Sequence, residues 1–261
     1  MKKISVILSM LTLLILFVGC EDENVKKLKR EIKLADRECP VNMGMIGDML
    51  NIKYDERKNE VQVYFSINDE IVSLDALKNN GQLAKNSMKL SINRKESSDL
   101  WKMITNAGAG LSVTFKSAST GKSFEIKIPV DELKEIIKNP LSEIETNKLL
   151  LENQLAMENS RSPYSVAEGM QLVKVFDDGN NIVYEYSLDE DLYDISLFNY
   201  AKDEIKSNAR EIFNDPVMKR NIETINSLGK GLIIRYSGKK TGKSADISFT
   251  SDELNKFIYK Y

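Results

Sequence analysis

The chain repeats itself. Thr120-Gly121-Lys122-Ser123 returns 121 positions later as Thr241-Gly242-Lys243-Ser244. The same shift carries Gly108-Ala109-Gly110-Leu111 onto Gly229-Lys230-Gly231-Leu232, and Asp131-Glu132-Leu133 onto Asp252-Glu253-Leu254. It also sets Phe65-Ser66-Ile67-Asn68-Asp69 on Tyr186-Ser187-Leu188-Asp189-Glu190, with no gap between any of these blocks. Chance does not hold four blocks in one register over such a span, so the fold must be one unit used twice. With 261 residues in all, each copy has about 100, enough for a core of its own.

Within a copy, hydrophobic periodicity predicts two strands, two helices, two strands and a final helix. Val61, Val63, Phe65 and Ile67 alternate with Gln62, Tyr64 and Ser66, the pattern of a half-buried strand. Met49 to Tyr54 is its hairpin partner across the charged turn Asp55 to Asn59; Asp178-Gly179-Asn180-Asn181 supplies that turn in the second copy. Leu111, Val113 and Phe115 form the apolar face of the third strand, and Phe124, Ile126 and Ile128 that of the fourth. Leu232, Ile234 and Tyr236, then Ala245, Ile247 and Phe249, repeat both faces.

Helices are expected at about 73–93 and 96–107, and at about 191–213 and 216–228. Asp215-Pro216 is a start signal: a capping carboxylate, then a residue that needs no N–H. Gly108, Gly110, Gly229 and Gly231 end the second helix and turn the chain into the third strand. Asp131-Glu132 and Asp252-Glu253 set carboxylates at the positive end of the last helix. Because every strand alternates, only one face of each sheet is covered. The expected fold is α+β: two tandem copies of an antiparallel four-stranded sheet with helices on one face, ordered ββ-αα-ββ-α.

The first twenty residues have a different logic. Lys2 and Lys3 precede the uncharged run Ile4 to Val18, and Gly19-Cys20 closes it. The run falls short of the ~20 residues of a spanning helix and has the layout of a signal peptide. Phe17-Val18-Gly19-Cys20 resembles the lipobox of bacterial lipoproteins. That resemblance implies cleavage before Cys20, a lipid on its sulfur, and a lipid-anchored protein exported to the bacterial outer membrane or cell surface. Two or three acyl chains hold a protein to a bilayer durably without spanning it. Glu21-Asp22-Glu23 either resembles the surface-export signal of Bacteroidota lipoproteins or is a solvated acidic tether. The expected boundaries are a signal peptide at 1–19, a charged tether at 20–38, the first copy at 39–139, a helical linker at 140–161 and the second copy at 162–261. Leu141, Ile144, Leu151 and Leu155 give the linker its near-helical spacing.

Chemistry is narrowed by what the chain lacks. It has no histidine, which excludes Ser-His-Asp and Cys-His catalysis and imidazole metal ligands. The net charge of −2, or −4 once residues 1–19 are removed, gives no bulk attraction to nucleic acid. With Cys20 acylated, Cys39 has no disulfide partner; beside Pro40, with Arg37 the one cation near it in sequence, it reads as a packed, inert thiol. The Gly-Lys-Ser triplets do not make a phosphate loop. Lys116 stands where the first glycine is needed, Gly238 is one residue too close, and both triplets precede strands. Lys122 and Lys243 are therefore expected in hairpin turns that bind no nucleotide. The Gly-x-Gly pairs at 108 and 229 also precede strands, the reverse of a dinucleotide loop. Asp177-Asp178-Gly179-Asn180 and Asp189-Glu190-Asp191 miss the EF-hand spacing and read as solvated turns, so no metal and no cofactor are expected.

Trp101, with Leu100 and Ile104 beside it on a helix, reads as core. On the uncovered sheet face the candidates for an interaction surface are Tyr64 in the first copy and Ile233 with Arg235 in the second. An open-face isoleucine next to an arginine suits an interface better than water. Two similar surfaces on one chain favour a large or repetitive partner. The expected function is that of a non-enzymatic envelope lipoprotein binding another envelope macromolecule. The alternative is an envelope glycan hydrolase working through a carboxylate pair, a chemistry that would need a strongly shifted pair near neutral pH.

Overall fold

The computed structural model describes residues 22–44, 47–69, 74–79, 81–94, 98–213 and 215–259. The signal-peptide region and Cys20 lie outside the described residues. The first unit runs α1 (Glu23–Arg37), β1 (Val41–Asn42), β2 (Gly47–Asp55), β3 (Glu60–Ile67), α2 (Leu74–Asn79), α3 (Gly81–Ile92), α4 (Ser98–Asn106), β4 (Gly110–Ser117), β5 (Ser123–Ile128) and α5 (Val130–Lys138). After α6 (Glu143–Arg161) the second unit follows: β6 (Tyr164–Ala167), β7 (Met170–Asp177), β8 (Asn181–Leu188), α7 (Ile195–Tyr200), α8 (Lys202–Phe213), α9 (Pro216–Ser227), β9 (Gly231–Gly238), β10 (Ser244–Phe249) and α10 (Ser251–Tyr259). The shift of 121 read from the tetrapeptides superposes β3 on β8, α3 on α8, β4 on β9, β5 on β10 and α5 on α10, end for end.

The α+β architecture with two sheets is as expected, and two details of it differ. Among the described residues each sheet has five strands, ordered β1-β2-β3-β4-β5 and β10-β9-β8-β7-β6. The additional strand, β1 or β6, is an edge strand too short for alternation to reveal. The two central strands of each sheet also run parallel: Val61 pairs with Leu111 and Phe65 with Phe115, as Ile182 pairs with Leu232 and Tyr186 with Tyr236. The helices between them form the long crossover that parallel neighbours require.

The helices cover one face. Ile52, Val61, Val63, Leu111, Val113, Ile126 and Ile128 meet Leu83, Met88, Trp101, Ile104 and Leu133 in the first core. Leu172, Val175, Ile182, Leu232, Ile247 and Phe249 meet Phe213, Ile222, Ile225 and Leu254 in the second. Trp101 is core, as its helical neighbours predicted.

Residues 23–37 do not stand off as a tether. They form a helix whose Leu28 and Ile32 are buried in the first core. Spaced by four, the two residues share one face and lie down on the sheet. Helix α6 is the second unit's counterpart, displaced by 123 rather than 121: Leu151 is buried where Leu28 is, and Leu155 packs where Ile32 does. The ends of the two helices make the same contact. Asp36 Oδ1 accepts from the Ile52 N–H at 3.1 Å, and Asn159 Oδ1 accepts from the Val175 N–H at 2.8 Å. In each unit this contact falls just past a β-bulge in the neighbouring strand, at Met49/Asn51 and Leu172/Lys174. A bulge disrupts the ladder, and the helix end supplies a partner there.

Helix α6 opens on a reciprocal cap: Ser142 Oγ accepts from the Glu145 N–H, and Glu145 accepts from the Ser142 N–H at 2.9 Å. It packs against α3 of the first unit as well as α9 and β7 of the second. Asn86 donates to Glu152 at 3.2 Å, and Asn153 donates to Ser87 at 3.0 Å, across that junction.

Candidate functional site

The second unit encloses a cavity of about 370 Å³ between its sheet and helices α8 and α9. Its floor is one face of two parallel strands: Tyr184 and Tyr186 from β8, and Leu232, Ile234 and Tyr236 from β9. These positions alternate along each strand, so they point the same way. Ile205, Asn208, Ala209 and Phe213 from α8, and Met218, Asn221, Ile222 and Ile225 from α9, form the roof at helical spacing. Val166 and Met170 close the β6–β7 side, and Val166 is 45% exposed, which marks an opening to solvent. The volume lies in the ~300–1,000 Å³ range of small-ligand pockets.

The cause is legible residue by residue. The shift of 121 maps Ile222 onto Trp101 and Ala209 onto Met88. Trp101 and Met88 are both buried in the first core, 7% and 9% exposed. Replacing an indole by isoleucine removes side-chain volume from α9; on α8 the loss of the Met88 thioether chain is met by Ile205 in place of Ala84 and Phe213 in place of Ile92, so bulk is moved along that helix rather than removed. Across the floor, Val63, Phe65 and Phe115 become Tyr184, Tyr186 and Tyr236. The stacked pair persists, with Phe65 and Phe115 ring centres 5.6 Å apart and Tyr186 and Tyr236 5.7 Å apart. The second unit has therefore lost bulk on α9 at position 222, shifted it along α8 away from position 209, and gained hydroxyls on the sheet.

Among the described residues no charged side chain lines the cavity. Burial pushes the Tyr186 hydroxyl up to about 12, with Tyr236 and Glu158 adding to it. Burial also raises Tyr236, and burial with the Glu158 carboxylate raises Tyr184. All three phenols stay protonated at any physiological pH. Tyr184 accepts from Gln154 Nε2 at 3.2 Å. Neither the Tyr186 nor the Tyr236 hydroxyl has a hydrogen-bond partner among the described residues.

The sequence pointed elsewhere, to the other face of the sheet. There Lys174, Glu185, Arg235 and Asp246 stand side by side across four strands, in a row of alternating charge. Arg235 grips Asp246 with two hydrogen bonds, Nε to Oδ1 at 3.0 Å and Nη2 to Oδ2 at 2.9 Å. Ile233 lies half-buried in the next row, between Val183 and Ser248. Ile233 and Arg235 therefore share one surface. Tyr64 is on the first sheet, where its hydroxyl donates to Gln62 at 3.0 Å, and does not join them. Cys39 packs at the edge of the first core, and burial with Asp36 and Glu38 raises its thiol pKa, which suits an inert thiol. The cavity residues were missed because each copy reads as an ordinary amphipathic pattern; only setting Trp101 against Ile222 exposes the loss of volume.

The repeated tetrapeptides are hairpin turns joining β4 to β5 and β9 to β10, as expected. Asp69 accepts hydrogen bonds from Ser117 and Ser119 in the first, and Glu190 from Lys240 and Thr241 in the second. The acidic turns are likewise engaged: Asp177 pairs with Lys230 at 2.9 Å and Asp178 accepts from the Asn181 N–H at 2.7 Å. Among the described residues no helix is long and apolar enough to cross a membrane.

No protein-family model matches the chain, and no curated protein matches it. A crystal structure of a presumptive secreted protein from Pseudomonas aeruginosa is similar over 44% of this chain and 98% of its own, with 15% identity and a TM-score of 0.35.

Proposed function

We propose that this protein is an exported, lipid-anchored, non-enzymatic binding protein whose second unit takes an apolar small ligand between sheet and helices. The observation that carries the reading is the apolar cavity of the second unit, which is lined by Ile222 and Ala209 at the positions where the first unit buries Trp101 and Met88. A core that merely drifted would be expected to collapse or repack, since voids are costly. Support for the anchor is the order Lys2-Lys3, apolar run, Gly19-Cys20. Contact with an envelope macromolecule belongs to the same reading, through the Ile233 and Arg235 face that the helices leave uncovered.

The test is the fluorescence of N-phenyl-1-naphthylamine added to the full chain carrying Cys20→Ser, so that no acyl group of its own competes. The dye should brighten and saturate. Ile222→Trp, or Ala209→Met from the other roof helix, should weaken its binding at least about tenfold while the melting temperature holds or rises, as for a filled void. No saturable brightening, or equal brightening in both filled variants, would end the proposal.

A further inference from the structure

We infer that the cavity selects an uncharged amphiphile: an apolar body carrying one neutral hydrogen-bonding head, such as a hydroxyl, ester or amide. The inference rests on the proposal that the cavity binds a ligand at all.

The apolar body follows from the walls. Ile205, Phe213, Ile222, Ile225, Leu232 and Ile234 offer a ligand nothing but hydrocarbon and ring surface. The neutral head follows from three polar groups that break that surface. The Tyr186 and Tyr236 hydroxyls and the Asn221 amide, all on partly buried residues, have no protein partner among the described residues, whereas Asn208 is exposed to water. Tyr184 differs, because Gln154 already uses its oxygen. An unpartnered polar group in a largely apolar site favours whatever restores its hydrogen bond. Hydroxyls and amides both donate and accept, so they can satisfy a head of either kind.

Charged heads are opposed on two grounds. Among the described residues no lysine or arginine lines the cavity to meet a carboxylate or phosphate, and a buried ion without a counter-charge is strongly disfavoured. The Glu158 carboxylate lies near enough to raise both Tyr184 and Tyr186, so its field adds to the penalty on an anion. That carboxylate is itself held by the Tyr164 hydroxyl at 2.8 Å, which leaves it poorly placed to turn toward an ammonium head.

Three ten-carbon probes separate the classes: decan-1-ol, decanoate and decyltrimethylammonium, each displacing N-phenyl-1-naphthylamine from the full Cys20→Ser chain at pH 8. The alcohol should displace the dye at least about tenfold more effectively than either ion. Tyr186→Phe with Tyr236→Phe should weaken the alcohol about fivefold or more, the scale of a lost hydrogen bond, while the dye itself binds within about twofold. Displacement by either ion as strong as by the alcohol, or an unchanged alcohol affinity in the double variant, overturns the ligand class and leaves the cavity a binding site. Failure of the dye to bind the unsubstituted cavity removes the binding proposal and this inference with it.

Discussion

The Cβ that Gly238 lacks would lie 2.5 Å from the carboxyl carbon of Glu190. Glu190 needs that space, because its Oε2 accepts from the backbone N–H of Lys240 at 2.6 Å and of Thr241 at 2.9 Å. At the matching place in the first unit stand Asp69 and Ser117, and the shorter carboxylate accepts from the Ser117 hydroxyl at 2.7 Å. Both hairpins are clamped by a carboxylate from across the sheet end, one by a short acid with serine, the other by a long acid with glycine. Gly238→Ser alone should therefore cost about 1–3 kcal/mol by overpacking. Glu190→Asp together with Gly238→Ser restores the first unit's pairing and should recover part of that loss, the remainder being the Ile195 Cδ1 that lies 2.6 Å from the same Cβ. Thermal melts of both singles and the double close the cycle, and purely additive losses would refute the compensation.

The tetrapeptides themselves divide the same way. Gly121 and Gly242 have φ of +70° and +67°, and nothing lies within 4 Å of a Cβ built on either. Alanine there meets backbone strain and no clash, so Gly121→Ala or Gly242→Ala should cost about 1 kcal/mol. Lys122→Ala and Lys243→Ala should stay within about 0.5 kcal/mol, as at ordinary surface sites, and ATP should not raise the melting temperature of any of them. A nucleotide-dependent rise lost with either lysine would reveal a phosphate site.

Acid should loosen the same hairpins. The Ser119 hydroxyl, with Ser117, holds Asp69 below the usual carboxylate range, and the Thr241 hydroxyl leads in doing so for Glu190. A group whose folded pKa is lowered contributes stability above its unfolded pKa, and that contribution is lost as pH falls through the folded value. Melting temperatures recorded downward from about pH 5, across the ordinary carboxylate range near 4, should fall less steeply for Asp69→Asn with Glu190→Gln than for the parent chain. Equal slopes would show that the clamps are not what acid breaks.

What could be read from the amino acids divides along physical lines. Alternation at Val61–Ile67 and Leu111–Phe115 reports burial on one face, so the strands and their covered side were legible. The direction of β4 relative to β3 is set by the crossover between them, which alternation does not encode. Residues 23–37 read as a tether because charge dominates them; the packing face of α1 is narrow, with Leu28 and Ile32 buried and Val25 and Ala35 packed beside them. Its kinship with α6 is hidden by the change of offset from 123 to 121, which falls in the turn of each unit's first hairpin: residues 55–60 separate Tyr54 from its partner Val61, and the shorter 178–181 separates Asp177 from Ile182. The cavity was illegible for another reason: it depends on where side-chain volume sits over the sheet, and a pattern of apolar and polar letters records no volume.

Cys20 should carry lipid. The motive is the run of charge, apolar stretch and Gly19 ahead of it. In a lipoprotein-processing bacterium, radiolabelled palmitate should enter the chain, and Cys20→Ala should remain unlabelled and leave the membrane fraction. Equal labelling of the two would place the acyl group elsewhere or remove it altogether.

Each unit should fold alone only if its leading helix is kept. Leu28 is fully buried and Ile32 is 3% exposed in the first core, while Leu151 is 3% exposed in the second. Burial of a leucine or isoleucine side chain is worth about 1.5–3 kcal/mol, and a domain has only about 5–15 kcal/mol in hand. Deleting α1 or α6 also removes Asp36 or Asn159, and with it the partner of the Ile52 or Val175 N–H beside the bulge. Fragments 22–139 and 142–261 should accordingly unfold cooperatively in urea, while 39–139 and 162–261 should show little or no cooperative transition. Helix α6 also packs against α3, so 142–261 should be somewhat less stable alone than in the whole chain. A cooperative transition of equal midpoint in 162–261 would mean that α6 is a linker after all and that Leu151 adds little to the second core.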